Sequence, residues 1–305
     1  MTNILEINHL EKAFGPKKVI EGVNLTLKKG KIYGLIGQNG AGKTTVMNMI
    51  LGQLLPDEGQ IFVNGERVIA GGETTNRYIG YCPDVPNFYG YMTAKEYLQF
   101  CASITSFKTD NLELTIQGLL ERVGLAQTEK VKISTYSRGM KQRLGIAQAL
   151  LNQPLLLICD EPTSALDPRG RKEVMDLLAS LKEEMSVILS THILSDIERV
   201  CDHIGILANG KLVREERLQD VLAEHQTQAH YTLKFSEAWA YEAYLKEMTA
   251  TGVQLVSHDQ EQLMITTAES QAAILDKLSQ HHYPIESLVK EQQTLEKLFL
   301  EETNA

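Results

Sequence analysis

The 305-residue sequence has no apolar run close to the roughly 18 residues that a membrane-crossing helix needs; the longest is Leu155 to Cys159. Its start, MTNILEINHL, lacks a basic segment followed by an apolar core. The expectation is a chain that neither spans a membrane nor is exported. Cysteines are few, and Cys82, Cys101, Cys159 and Cys201 form no CxxC pair, so neither a zinc knuckle nor a disulfide framework is supported. They read as buried, reduced thiols in a cytosol. No basic stripe suited to nucleic acid stands out, and there is no internal repeat or low-complexity tract.

What remains is the composition of a globular protein, 43% apolar and 23% charged, with material for more than one core. The net charge of -9 is unevenly spread. Up to Arg214 there are 24 basic and 23 acidic residues; from Glu215 onward there are 6 and 16. A near-neutral body joined to an acidic annex implies two modules with different surfaces.

Short alternating runs, Ile4, Leu5 and Ile7, then Val23, Leu25 and Leu27, read as strands separated by turns at Gly15-Pro16 and Lys28-Lys29-Gly30. Ile32 to Ile36 is a strand that feeds a glycine-rich loop, and a helix follows over Thr44 to Leu51. Asn64-Gly65 signals a type I′ hairpin between Gln60–Val63 and Arg67–Ile69. Thr93 to Gly124 has helical spacing. Leu155 to Cys159 and Val187 to Leu189 read as central strands of a parallel sheet. After a helical connector over 215–230, the order over 231–305 is βαββαβ, the split-βαβ plan, closed by an amphipathic stretch with Leu295, Leu298, Phe299 and Leu300.

Gly37-Gln38-Asn39-Gly40-Ala41-Gly42-Lys43-Thr44, followed by Thr45, satisfies GxxxxGK[ST] between a strand and a helix. Glycines there let backbone N–H groups face phosphate oxygens, and the helix N-terminus adds partial positive charge. Lys43 would reach the β- and γ-phosphates, and the Thr44 hydroxyl would ligate magnesium. Asp160-Glu161 leaves the carboxyl end of a central strand, where ligands of parallel sheets bind. An acidic pair after a strand is commonly a solvated turn. With a phosphate loop upstream, Asp160 is expected to hold magnesium and Glu161 to polarise the attacking water.

Further motifs fall in the order seen in ATP-binding-cassette (ABC) ATPases. Tyr136-Ser137-Arg138-Gly139-Met140 resembles the signature motif, Ser164-Ala165-Leu166-Asp167 the D-loop, and Ser190-Thr191-His192 the switch-histidine region. Phe14 is similar to the aromatic that stacks on adenine, with Val19 beside it. The resemblance covers Ile4 to about Arg214. It implies an α/β P-loop cassette with a RecA-like core, an N-terminal β-subdomain and an α-helical subdomain over 1–214, a linker over 215–230 and a small acidic α+β domain over 231–305.

The resemblance also implies function: an ATPase that sandwiches two Mg-ATP in a head-to-tail cassette dimer. Ser137, Gly139 and Asp167 would face the partner's nucleotide, and His192 the γ-phosphate. A separate membrane permease would be driven from the cytoplasmic face, as in ABC-2-type exporters of the drug- and bacteriocin-resistance group. Pro86 to Ser106, with Phe88, Tyr89, Tyr91 and Tyr97, corresponds to the segment that meets the permease. Two departures stand out: Asp84 occupies the usual glutamine position near the metal, and Arg138 and Met140 replace signature residues. The alternative is an ATP-dependent regulatory or immunity protein that senses a ligand through its acidic domain. Action on ribosomes or DNA is disfavoured, because a single cassette is present without a coiled coil.

Overall fold

In the computed structural model the short alternating runs become a curved antiparallel layer. It describes residues 2–72, 74–105, 107–128, 130–224, 229–251, 254–259, 262–267, 269–291, 295 and 299. The chain forms two compact units, Met1–Leu218 and Gln219–Ala305.

In the first unit, β1 (Asn3–Phe14) pairs with β2 (Lys17–Lys28), so that Ile7 and Leu10 are buried beside Val23, Leu25 and Leu27. β3 (Ile32–Ile36) is buried at all five positions and leads through the glycine-rich loop into α1 (Lys43–Ile50). β4 (Glu58–Val63) and β5 (Glu66–Arg67) flank Asn64 and Gly65, both in the left-handed region with φ of 50° and 80°. β5 ends at Arg67, two residues before the expected end, and Ile69 is exposed. β6 (Ile79–Cys82) precedes α2 (Ala94–Ile104) and α3 (Leu112–Arg122), so the expected Thr93 to Gly124 helical region is two helices. Thr93 opens α2 with a capping box to Glu96. α4 (Arg138–Leu150) returns the chain to β7 (Leu156–Asp160). Then follow α5 (Pro168–Ser180), β8 (Ser186–Thr191), α6 (Leu194–Val200), β9 (His203–Ala208) and β10 (Lys211–Arg217).

The strands form a four-stranded sheet, β2-β1-β4-β5, and a six-stranded sheet, β10-β9-β3-β8-β7-β6. From β9 to β6 the second sheet is parallel, and β10 closes one edge antiparallel. Its register places the site. Ile36 lies opposite Thr191, Asp160 opposite Ser190, and Cys82 opposite Cys159. Gly37, Glu161, His192 and Pro83 therefore all leave the sheet at its carboxyl edge, where ligands of such sheets bind.

One expectation is corrected. Glu215–Arg217 are not helical connector but the end of β10. The Glu215 carboxylate accepts from the Thr26 N–H at 3.2 Å and from the hydroxyl of the wholly buried Tyr33 at 3.3 Å. Burial pushes both the Tyr33 phenol and the Glu215 carboxyl up from their ordinary values.

The second unit opens with the rest of α7 (Leu218–Glu224). β11 (Ala229–Phe235), α8 (Ala238–Thr251), β12 (Gln254–Asp259), β13 (Gln262–Thr267), α9 (Gln271–Gln280) and β14 (Ile285–Glu291) follow. The sheet order β12-β13-β11-β14, antiparallel throughout, is the split-βαβ arrangement. Its core joins Tyr231, Leu233, Phe235, Leu263 and Ile265 to Tyr241, Tyr244, Ile274 and Leu278. In the closing stretch Leu295 and Phe299 are helical and buried, whereas Leu298 and Leu300 lie outside the described residues.

Candidate functional site

The glycine-rich loop is shaped by contacts that admit no side chain. At Gly37 an added Cβ would lie 2.7 Å from the Leu207 carbonyl; at Gly42, where φ is 110°, it would lie 2.6 Å from the Ile20 side chain and 3.1 Å from the Val19 carbonyl. Val19 is thereby set against the loop. No side chain caps α1, so its first N–H groups are left for an anionic ligand. Lys43 is 5% exposed and donates to the carbonyls of Gly37 at 2.7 Å and Gln38 at 3.2 Å. Its ammonium also lies 3.2 Å from Glu161 Oε1.

Asp160 is held from two sides. Its Oδ2 accepts from the Thr44 hydroxyl at 2.8 Å, and its Oδ1 from the Ser190 hydroxyl at 2.5 Å. Thr44 and Asp160 thus present hard oxygen atoms side by side, a donor set that fits magnesium. Burial first, and the Asp160 charge next, push the neighbouring Tyr81 phenol up to about 12.

Glu161 has a left-handed backbone, φ 47°, in which its N–H reaches the Ser190 carbonyl and hydroxyl at 3.1 and 3.0 Å. Non-glycine residues held in this region gather at functional sites. Its Oε2 contacts His192 Nδ1 at 2.8 Å, while its buried Oε1 has no hydrogen-bond partner beyond the ionic contact with Lys43. Lys43, Glu161 and His192 form one connected line of charge and hydrogen bonding at the sheet edge.

The remaining candidates lie elsewhere. Asp84 does not join Thr44 and Asp160: its Oδ1 accepts from the Ser164 hydroxyl at 2.5 Å, beside a cavity of about 200 Å³ that also touches Glu161 and Arg138. Ser137 caps α4 through the Met140 N–H at 3.2 Å, and Asp167 caps α5 through the Gly170 N–H at 3.1 Å, with Pro168 in its first turn. Neither is bonded to Lys43, Asp160, Glu161 or His192 among the described residues. Gly139 packs toward Gly170 and Leu166. Phe14 is half-exposed, with the Lys12 ammonium 5.6 Å above its ring. Sequence reasoning missed the Ser190 hydroxyl bond to Asp160, which the β7–β8 register makes, and the buried Thr163–Asp196 bond of 2.6 Å, which joins the loop after β7 to α6.

A family model described as "ABC transporter" matches residues 20–164. The ABC transporter ATP-binding protein YcbN of Bacillus subtilis (strain 168), itself described as uncharacterized, is 36% identical over 100% of this chain and 98% of its own length. The chain belongs to the ATP-binding subunits of ABC transporters. It therefore binds ATP, and it is an ATPase of the kind coupled to transport. The bacitracin transport ATP-binding protein BcrA of Bacillus licheniformis is 44% identical over 70% of each chain. Among solved structures, the dimeric ATP-binding cassette MJ0796 bound to ADP and Pi matches with a TM-score of 0.62 and 25% identity, covering 70% of this chain and 98% of that one.

In this ABC subunit, as in its relatives' descriptions, transport is the task, yet among the described residues no helix is long and apolar enough to cross a membrane. A second feature lies away from the phosphate loop. Tyr89 and Tyr91 are exposed, and Tyr89 with Phe88, Phe100 and Ile104 lines a cavity of about 610 Å³. Tyr97, by contrast, is buried and donates to Gln148 Oε1 at 3.0 Å.

Proposed function

We propose that this chain pairs with a second cassette, head to tail, to hold two Mg-ATP, and that hydrolysis drives a separate membrane permease as an exporter from the cytoplasmic face. The observation that carries the reading is the connected set Thr44–Asp160 and Lys43–Glu161–His192 at one sheet edge. The adenine would stack on Phe14, with Val19 at its edge. Backbone N–H groups of residues 38–45 and the Lys43 ammonium would hold the phosphates. Thr44 and Asp160 would hold magnesium, which supplies charge neutralisation on the phosphates when bound.

Glu161 is suited to be the base. Its carboxylate is largely withdrawn from water and Oε1 takes no hydrogen bond, so that oxygen is left to accept a proton. As water oxygen bonds to the γ-phosphorus and the bond from that phosphorus to the β–γ bridging oxygen breaks, the water proton passes to Glu161 and ADP leaves. His192, joined to Glu161 Oε2, would orient that carboxylate and reach the γ-phosphate.

Ser137, Gly139 and Asp167 lack bonds to the Lys43 cluster of their own chain, which agrees with their facing the nucleotide of a second copy. The dimeric form of MJ0796 supports the same assembly. The description of BcrA as a bacitracin transport protein favours export. Tyr89 and Tyr91, exposed beside the aromatic cavity, form the surface proposed to meet the permease. Asp84 is proposed to turn from Ser164 toward the metal when nucleotide binds.

The test is steady-state hydrolysis by the purified chain alone and with its permease. Glu161→Gln should lower turnover by about 10²- to 10⁴-fold while ATP still binds. An unchanged rate removes Glu161 from the mechanism.

A further inference from the structure

Glu161 and His192 leave different strands, β7 and β8, so their 2.8 Å contact depends on how the two exit segments are fixed to one another. The segments continue as Pro162-Thr163-Ser164 and as Ile193 to α6. Two residues beyond Glu161, Thr163 is fully buried; four residues beyond His192, Asp196 is 3% exposed. The Thr163 hydroxyl donates to Asp196 Oδ2 at 2.6 Å. It is the one side-chain hydrogen bond other than Glu161–His192 that joins these segments among the described residues.

We propose that Thr163 and Asp196 are positioning residues that set the Glu161–His192 geometry, an inference that rests on Glu161 and His192 acting on the γ-phosphate as read above. Among the described residues neither side chain is hydrogen-bonded or ion-paired to Lys43, Thr44 or Asp160, so they act through the catalytic pair and not on nucleotide binding.

The local backbone explains why a clamp is needed. Glu161 sits in a strained left-handed conformation, and the segment after it turns tightly, Ser164 N–H to the Glu161 carbonyl at 3.2 Å and Leu166 N–H to the Thr163 carbonyl at 3.1 Å. On the other side the Ile193 N–H is held by the Thr191 hydroxyl at 2.9 Å, and the Asp196 N–H reaches the Ile193 carbonyl at 3.2 Å. Each turn is fixed internally; the β7–β8 ladder and the Glu161 N–H bonds to Ser190 set where the two turns start, and Thr163–Asp196 joins them beyond that point. Asp196 is well placed to serve as anchor. Burial raises its carboxyl, while the Thr163 hydroxyl bond and then the charges of Arg171, Arg199 and His192 favour its ionised form. A short bond between two water-excluded groups defines a distance better than an exposed pair, because no solvent competes for either partner. Displacements near 1 Å at a reacting centre cost about 10²-fold in rate.

The experiment compares Thr163→Val, which keeps shape and removes the hydroxyl, with Thr163→Ser, which keeps the hydroxyl, and with Asp196→Ala, which removes the acceptor. Turnover and KM for ATP are measured on the full chain, beside ATP binding and Glu161→Gln. Thr163→Val and Asp196→Ala should lower kcat about 10- to 100-fold with KM and ATP affinity within about twofold, Thr163→Ser should stay near the parent, and the double variant should be no worse than the poorer single. If Thr163→Val turns over like the parent, if Thr163→Ser loses as much as Val, or if KM rises while kcat holds, the positioning role is wrong. Should Thr163→Val fail to fold, Asp196→Ala and Thr163→Ser decide alone. A Glu161→Gln chain that hydrolyses normally overturns the reading of the catalytic pair; one that is inactive beside a fully active Thr163→Val overturns the clamp alone.

Discussion

Glu215 illustrates how one residue's environment can reverse its meaning. In the sequence it opens an acidic stretch; in the fold the residue keeps an exposed place on the edge strand, yet its carboxylate accepts from the Thr26 N–H and from the hydroxyl of the buried Tyr33. Its folded-state carboxyl is raised by burial, so the folded chain takes up a proton there more readily than the unfolded chain. That contribution is present in full below the ordinary glutamate value and is lost as pH rises through the raised folded one. Glu215→Gln keeps an oxygen to accept both hydrogen bonds and removes the ionisation. Its stability in urea, followed by circular dichroism, should equal or exceed the parent's at pH 8, and the advantage should shrink toward pH 5. A variant weaker than the parent at pH 8 and recovering at pH 5 would mean that the ionised carboxylate itself is stabilising.

Helices and strands were legible where local chemistry decides them. Ser137 lies with an extended backbone before α4, whose Leu144, Ile146, Ala147 and Leu150 are buried, and it satisfies one of the free N–H groups at the helix start. Ser137→Ala should therefore cost about 1 kcal/mol in urea unfolding of the isolated chain, with Ser137→Asn near the parent; a Ser137→Ala chain as stable as the parent would show that the cap contributes nothing. β3, β7 and β8 could be read as apolar runs because strands covered on both faces need no alternation. β10 could not, since KLVREER carries charge along a half-exposed edge strand and resembles a connector. The phosphate loop and the Asp160-Glu161 pair were readable from their places at the ends of β3 and β7, whereas His192 was marked by the resemblance to ABC ATPases. Asp84 was placed by position alone, and the structure gives it a hydroxyl partner 80 residues away in sequence. Asp160–Ser190 escaped because parallel register, and not sequence proximity, creates that pair, and Thr163–Asp196 because it joins the loop after β7 to α6, 33 residues further along the chain.

At the scale of the whole chain, the structural division sharpens the charge asymmetry. Residues 1–218 hold 25 basic and 25 acidic side chains; residues 219–305 hold 5 lysines, no arginine and 14 acidic side chains, so the entire net charge of -9 belongs to the second unit. Each unit has its own buried core. Separate cores with unlike charge should respond to different solution conditions, and two-state unfolding is not expected of such a chain. A ligand that binds only the folded first unit stabilises it by about 2.7 kcal/mol at a hundredfold excess over its Kd. Salt, by contrast, screens the like charges of the second unit. Calorimetry should accordingly resolve two transitions. A non-hydrolysable ATP analogue with magnesium should raise the one that belongs to residues 1–218, and added salt should raise the other more. The single tryptophan, Trp239, lies in the second unit and assigns the transitions, because its fluorescence should follow the salt-sensitive step and ignore the nucleotide. If instead Trp239 fluorescence and the nucleotide-sensitive step move together under every condition, the two cores unfold as one, and the acidic unit is energetically part of the ATPase.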